Sequence, residues 1–398
     1  MSARVVAMEE HCEAYFAWKS ADIRGGWCWH VDAHLDIGRD GLSADRLKAL
    51  AGCPSYAQAR SLHLCGNAYL PWGGLHCGNY LYPAIQEGIV TRLTWVIPPD
   101  LPVGPLLSWV RGHLNGWFDL TVLESVELQE RNGYVAGTVL GIPMEIGPAC
   151  RLPQPKEPVL LDVDLDYFLT TAGEVWRESE NFPPSCFTTV AYSVKGGYTP
   201  TEYRRLARPW VDDVSGYRAN SLDDAAGLVR LHRYAEAVPG LQRLDGVESG
   251  YLLGTCYHHL NQHDLALSCW QNLLDRGDVP AEGRAHLLGL ASETLCRLER
   301  PQQALDYALQ AQQAVEPDYR LYWAAAAALE KMGDLRQATQ MIRRGLRLAE
   351  PYLFGLQMRL VLARLYRMQN KEGLARLELA QLEKADLGGL MRPLTLLR

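Results

Sequence analysis

The spacing of apolar and polar residues changes character once along the chain, near residue 210. Before that point, short apolar runs alternate with Gly, Pro and polar loops, the pattern of a domain that contains strands. The runs Val5 to Met8, Trp29 to Asp32, Leu93 to Ile97, Val159 to Val163 and Phe187 to Tyr192 predict strands. Several are nearly continuous in apolar residues, as strands are when both faces of a parallel sheet are buried. The stretch Leu120 to Ile146 differs: Tyr134-Val135-Ala136-Gly137-Thr138-Val139 follows a turn at Asn132-Gly133, which predicts an antiparallel hairpin, inserted or at the edge. Residues 1–205 therefore read as a three-layer α/β domain around a parallel sheet.

Beyond residue 210 helix formers dominate and an internal repeat emerges. Ala266, Ala304, Ala338 and Ala375 recur in one local setting, with Pro280, Pro317 and Pro351 near the ends of successive units. Gly333 stands five positions before Ala338, where the turn inside a helix pair belongs, and Tyr257 and Tyr366 each stand nine before their alanine. A weaker unit begins around Tyr234-Ala235. This period is close to that of tetratricopeptide helix pairs, so residues 215–398 resemble an all-α tetratricopeptide-like repeat domain.

Composition narrows the field. With 398 residues and 48% hydrophobic content, the chain can build sizeable cores in more than one domain. A net charge of -7 without runs of Lys and Arg speaks against nucleic acid as partner. The run Tyr322 to Leu329 is far short of the roughly 20 apolar residues a bilayer requires, so no membrane is expected. Glu9, Glu10 and His11 interrupt any secretory stretch, and the ten cysteines are scattered without CxxC spacing. Together these lead us to expect a cytoplasmic protein.

Two segments carry candidate chemistry. His30-Val31-Asp32-Ala33-His34-Leu35-Asp36 leaves a buried strand with Asp32, His34 and Asp36 at alternate positions, able to face one point. Val159-Leu160-Leu161-Asp162-Val163-Asp164-Leu165-Asp166-Tyr167 repeats the device with Asp162 and Asp164. Acids gathered at the ends of buried strands repel one another and lose hydration unless a cation joins them. The competing reading has these acids capping helices and pairing in loops; DxH or DxD alone is a weak signal, whereas the two together are specific. Oxygen and imidazole donors without thiolate suit a manganese-like divalent ion, and four carboxylates suit two ions.

These motifs, Asp32-Ala33-His34-Leu35-Asp36 and Asp162-Val163-Asp164, resemble the DAHxD and DxD signatures of the ureohydrolase superfamily of arginases and agmatinases. Glu9-Glu10-His11, Gly78-Asn79 with Pro83-Ala84 and Gly88, Trp95-Val96-Ile97-Pro98 and Asp162 to Phe168 are similar to the branch that includes peptide arginases of ribosomal peptide biosynthesis. The resemblance covers about residues 3 to 205 and implies an arginase-like fold with two Mn2+ ions. It implies that His11, Asp32, Asp36 and Asp162 hold one ion, that His34 and Asp164 hold the second, and that Asp32 and Asp162 bridge them. It further implies that a hydroxide between the ions attacks the guanidinium carbon.

On that reading Asp36 accepts the proton, and His76 is the first choice for the shuttle to solvent, with His63 as competitor in a nearly duplicate setting. Asn79, Asp166 and Thr199 are candidates to contact substrate, and His30 is placed on the opposite strand face as a core or supporting residue. Free-arginine enzymes of the superfamily carry an Asn where this chain has Gly38, and their late Glu has no counterpart after Tyr192. Lacking that clamp for an α-carboxylate, the chain is expected to act on arginine within a precursor peptide gripped by the repeat domain, giving ornithine and urea. The alternatives are a hydrolase of a small guanidine or an acylated amine, and a non-enzymatic adaptor whose metal site is vestigial; a homo-oligomer stays open.

Overall fold

The computed structural model describes residues 4–39, 41–98, 101, 104–117, 127–169, 182–212, 214–315, 319–349 and 353–385. They form two compact units, 1–230 and 231–398. The division falls later than the change in composition because the helix Ser221–Arg230 is tied to the first unit. Asp223 accepts from Tyr69 Oη at 2.6 Å and from Gly196 N at 2.7 Å, and Arg230 donates to the carbonyls of Gly196 and Ala68.

The first unit is built on an eight-stranded sheet of order β1-β8-β7-β2-β3-β6-β5-β4. Its strands are β1 (Arg4–Met8), β2 (Gly26–Val31), β3 (Val90–Val96), β4 (Gln129–Arg131), β5 (Tyr134–Val139), β6 (Ile142–Gly147), β7 (Val159–Asp164) and β8 (Ser185–Ala191). From β1 to β6 in that order every pairing is parallel; β6, β5 and β4 continue as an antiparallel edge. The five apolar runs read from the sequence are β1, β2, β3, β7 and β8. The hairpin is also present, its turn made by Asn132 and Gly133, both at positive φ as a type I′ turn requires. The start of that expected segment, residues 120–126, lies outside the described residues.

Alternation sorts the strand side chains into two cores. Cys28, Leu93 and Leu160 pack on one face with Trp18, Tyr80 and Leu81 from the helices Glu13–Ser20 and Leu81–Gln86 and their approaches. Trp29, Val31, Leu161 and Val163 point the other way. Among the described residues that second face is covered by short 3-10 turns at Leu165–Leu169 and Thr201–Ala207 and by Trp210 and Tyr217, in place of long helices. All six residues of β7 are buried, so each contributes an apolar contact or must find a polar partner.

The second unit is an all-helical repeat. Helix pairs Val247–His259 with His263–Leu274, Ala281–Arg297 with Pro301–Ala314, Tyr319–Lys331 with Leu335–Ala349, and Leu353–Met368 with Glu372–Ala385 follow one another. Each inner turn uses one left-handed residue, Asn261, Glu299, Gly333 or Asn370, and five positions later a fully buried alanine, Ala266, Ala304, Ala338 or Ala375. His232 and Ala237 repeat the device in the leading, shorter unit. In each of the four turns a backbone N–H reaches the carbonyl five residues earlier, as Gln262 does to Tyr257 at 2.8 Å and Lys371 to Tyr366 at 2.8 Å. This Schellman closure stops one helix and launches the next. The alanine methyl lets the two helices touch closely. Pro317 and Pro351, expected near unit ends, lie outside the described residues.

Candidate metal centre

The strands β1, β8, β7 and β2 are consecutive neighbours, and their C-terminal ends bring together residues from opposite ends of the first 200 positions. His11 follows β1, Asp32, His34 and Asp36 follow β2, Asp162 and Asp164 belong to the last turn of pleat in β7, and Ser193 and Lys195 follow β8. Ligands bind at this edge of open α/β sheets because strand ends and loops there present polar groups over a buried floor.

His11 sits at the middle and is fully buried. Its Nδ1 lies 3.2 Å from Asp32 Oδ2, 3.4 Å from Asp36 Oδ2 and 3.1 Å from Asp164 Oδ2, while Nε2 lies 3.2 Å from Asp162 Oδ1. Asp162 is the most heavily supported acid: Oδ2 accepts from Tyr80 Oη and faces His30 Nδ1 at 3.0 Å, and Oδ1 accepts from Thr189 Oγ1. Asp164 takes a hydrogen bond of 2.6 Å from Ser193 Oγ and one of 3.0 Å from the backbone N–H of Asp166. Asp166 in turn faces His34 Nδ1 at 2.9 Å.

Asp36 is held at φ +57, a left-handed conformation that costs a non-glycine residue energy and turns its carboxylate back toward His11. Alternation alone does not account for this placement, because β2 ends at Val31 and the chain beyond it is a loop.

Five carboxylates, Asp32, Asp36, Asp162, Asp164 and Asp166, are thus buried around three imidazoles. With all five ionised, negative charge exceeds what three protonated imidazoles can offset, and the excess is relieved only by protonating acids or by a cation. Burial disfavours the His11 cation, yet the surrounding acids, Asp162 foremost, hold its pKa well above the usual histidine range. Burial likewise opposes ionised Asp32, but His30 and His11 pull its pKa well below the ordinary carboxylate value. Asp36 shows the opposite outcome: burial and the neighbouring Asp32 push it up to about 6. Burial, then Asp164 and Asp32, raise Asp166 well above the carboxylate range.

Two buried atoms, His11 Nδ1 and Asp32 Oδ2, face each other without a hydrogen-bond partner among the described residues. A buried polar atom normally has one, and a cation would serve both. Three groups of donors are close enough to hold a metal ion: His11 with Asp32 and Asp36, His11 with His30 and Asp162, and Asp32 with His34 and Asp166. All donors are oxygen or imidazole nitrogen, so the residues fit a divalent ion of the manganese, iron or zinc kind.

All six residues expected as ligands lie in one cluster, but their grouping differs from the expected one. His34 groups with Asp166 in place of Asp164, its side chain is half exposed, and Asp162 is directed to His11 and His30. His30 belongs to the centre. Residues two apart on a strand share a face, so His30 was never opposite Asp32, and its Nε2 lies 3.5 Å from Asp32 Oδ2. Tyr80, Thr189 and Ser193 were not singled out from sequence; nothing in an isolated Tyr, Thr or Ser signals a hydrogen bond to an acid more than 25 residues away.

A small cleft of about 20 Å³ adjoins His11 and is lined by Glu9, Glu10, Asn67, His76, Lys195 and Tyr198, among others. His76 reaches this cleft, whereas His63 is exposed at φ +55 in the turn after the helix Tyr56–Ser61 and does not line it. Asn79 is committed to its own loop: Oδ1 accepts from His76 N at 2.8 Å and Nδ2 donates to Gly74 O at 3.0 Å. Thr199 is buried, with Oγ1 lacking a partner among the described residues, and its backbone N–H bonds to Ser193 O.

No protein-family model and no curated protein matches this chain. Among solved structures, MamA 41-end from Desulfovibrio magneticus RS-1 is similar to its helical part. That match has 13% identity and a TM-score of 0.37, and spans 43% of this chain and 97% of that one. MamA AMB-1 gives 18% identity and a TM-score of 0.37 over 43% of this chain and 99% of that one. No described helix is long and apolar enough to cross a membrane.

Proposed function

We propose that the α/β unit is a manganese-dependent hydrolase that converts arginine side chains of a peptide to ornithine with release of urea, and that the helical unit holds the peptide. The observation that supports this most is the convergence of five buried carboxylates and three imidazoles beside a small cleft. Five acids outnumber three imidazoles here, and His11 Nδ1 and Asp32 Oδ2 stand 3.2 Å apart without a hydrogen bond, an arrangement that a bound cation would stabilise.

His11, His30, His34, Asp32, Asp36, Asp162, Asp164 and Asp166 are the residues available to hold two divalent ions. When bound, such ions lower the pKa of water and stabilise negative charge on the reacting oxygen, which a resonance-stabilised guanidinium requires of its nucleophile near neutral pH.

The chain's own groups do the rest. Tyr80, Thr189 and Ser193 fix the orientation of Asp162 and Asp164 by hydrogen bonds, so that the acids need not reorganise during reaction. Asp36 takes a proton from the attacking water as its oxygen bonds to the guanidinium carbon. The bond from that carbon to the side-chain nitrogen then breaks, and the nitrogen leaves with a proton as the ornithine amine. His76, at the cleft wall, carries the remaining proton to solvent. A repeat unit that retains one peptide raises the local concentration of each of its arginines at the site.

The test is urea release from an arginine-containing peptide by the full chain loaded with Mn2+. Ornithine in the recovered peptide is the expected result. Loaded protein that releases no urea from either peptide or agmatine overturns the reading, and faster turnover of agmatine moves the substrate to small guanidines.

A further inference from the structure

The cleft beside His11 has two carboxylates of its own, and cations of the same unit engage both. Glu9 Oε1 pairs with Arg204, whose guanidinium is buried, lies 3.7 Å over the ring of Tyr192 and also bonds the carbonyls of Val214, Tyr217 and Ser215. That arginine is locked in place by four partners and a ring.

Glu10 is held differently. Its Oε2 accepts from Tyr56 Oη, Arg60 Nη1 stands 3.4 Å from Oε1 with its side chain 41% exposed, and Lys195 Nζ reaches the same Oε1. Among the described residues Lys195 makes no other hydrogen bond or ion pair. Its backbone, by contrast, is fixed. Gly196 donates to Asp223 and accepts from Arg230, and Gly197 sits at φ +72, where a Cβ would lie 2.3 Å from Asp223 O. Any exchange at Glu10 therefore falls to the four-carbon side chain, whose only contacts of this kind among the described residues are with Glu10.

A cationic side chain entering this cleft toward His11 therefore meets a carboxylate engaged by Tyr56, by Arg60 at 3.4 Å and by the Lys195 ammonium, and of the two cations Lys195 is the one that also lines the cleft. We propose that Glu10 is a binding subsite for the guanidinium group of a ligand, and that Lys195 is an internal cation that fills this subsite until the ligand displaces it. The inference rests on the guanidine reading given above and adds the group that anchors the cation. A guanidinium has the advantage in the exchange, because its planar fork can bond one carboxylate through two N–H groups whereas an ammonium acts as a point charge.

The magnitude follows from competition. Removing the internal competitor raises ligand affinity by one plus the equilibrium constant of the Lys195–Glu10 pair. A partly exposed pair worth about 0.2–1 kcal/mol gives a gain of about two- to sixfold. Side-chain exposures of 25% and 11% place this pair toward the upper end.

The experiment is calorimetric titration of the full-length, chelator-treated protein with N-acetylarginine methylamide and its neutral counterpart N-acetylcitrulline methylamide. Lys195→Met is expected to tighten the arginine probe within that range and leave the citrulline probe unchanged. Lys195→Arg, with a firmer hold on Glu10, weakens the arginine probe. In a Glu10→Gln background the arginine probe binds more weakly and Lys195→Met brings no gain. Equal affinity in wild type and Lys195→Met, a gain that persists without Glu10, or weaker binding after Lys195→Met overturns the subsite while leaving the guanidine reading intact. An arginine probe that binds none of the proteins overturns the subsite, and urea release by the Mn2+-loaded chain decides the guanidine reading separately.

Discussion

Replacing Asp36 by Asn probes the electrostatic cost of the centre directly. Asp36 sits at φ +57, a conformation that Asn tolerates as well as Asp, so the backbone has no reason to move. Burial and the adjacent Asp32 push its carboxyl up to about 6. Relative to an unfolded value near 3.9 this is roughly two pH units, or about 3 kcal/mol of destabilisation once the group is ionised in both states. The sign is fixed by the direction. A carboxylate raised on folding contributes nothing below pH ~3.9, costs progressively more as pH rises to about 6, and costs its full amount above that. The metal-free Asp36→Asn protein should therefore be more stable than wild type by about 2–3 kcal/mol at pH 7.5 and nearly equal to it at pH 4. Manganese should close most of that gap. An ion at 100 times its Kd stabilises the wild type by about 2.7 kcal/mol, and the variant, having lost a ligand of the His11 group, gains much less. Denaturant unfolding of the full chain at several pH values, with chelator or with Mn2+, reads both effects, provided the transitions of the two units are resolved. A variant less stable than wild type at pH 7.5 in chelator, or one that gains as much as wild type from the metal, would refute the reasoning.

Three further outcomes are expected. If His76 carries protons from the cleft, His76→Ala should lower kcat for urea release by about a hundredfold or more while His63→Ala, altered at an exposed turn, leaves it unchanged; equal effects would sink that assignment. Burial, reinforced by Arg320, lowers His286 in the helical unit to about 4; because a histidine depressed on folding stabilises above its unfolded value, that unit should lose stability between pH 6.5 and 4, and His286→Leu should flatten the loss in thermal scans. Gly254→Ala would ordinarily strengthen a helix by about 1 kcal/mol. Here the new methyl would stand 2.5 Å from the Trp270 ring, which is tied to Thr294 at 3.2 Å, so overpacking by about 1–3 kcal/mol should lower the melting temperature of the helical unit, and a rise would contradict the packing described.

Much of the architecture is written in local patterns. Five apolar runs became five neighbouring or near-neighbouring strands because a segment buried on both faces has no polar side to expose, and the Asn132-Gly133 turn has a backbone preference of its own. The alanine period marked the repeats for a similar reason: every unit faces the same steric demand at the same place. Glu299 carries no turn signal in the sequence, since its left-handed φ is imposed by the Schellman closure and not by the side chain. The cluster of acids was legible in its motifs, because carboxylates at the ends of buried strands are costly to bury without a cation.

Tertiary structure alone decided how those acids are shared. The order β1-β8-β7-β2 sets His11 among four carboxylates, brings His34 to Asp166 and leaves Asp162 to Tyr80, Thr189 and His30. Alternation fixes which way a side chain points from its own strand. Which partner it meets depends on neighbouring strands up to about 180 residues apart in the chain and on loops, such as the one that turns Asp36 back, where no period applies.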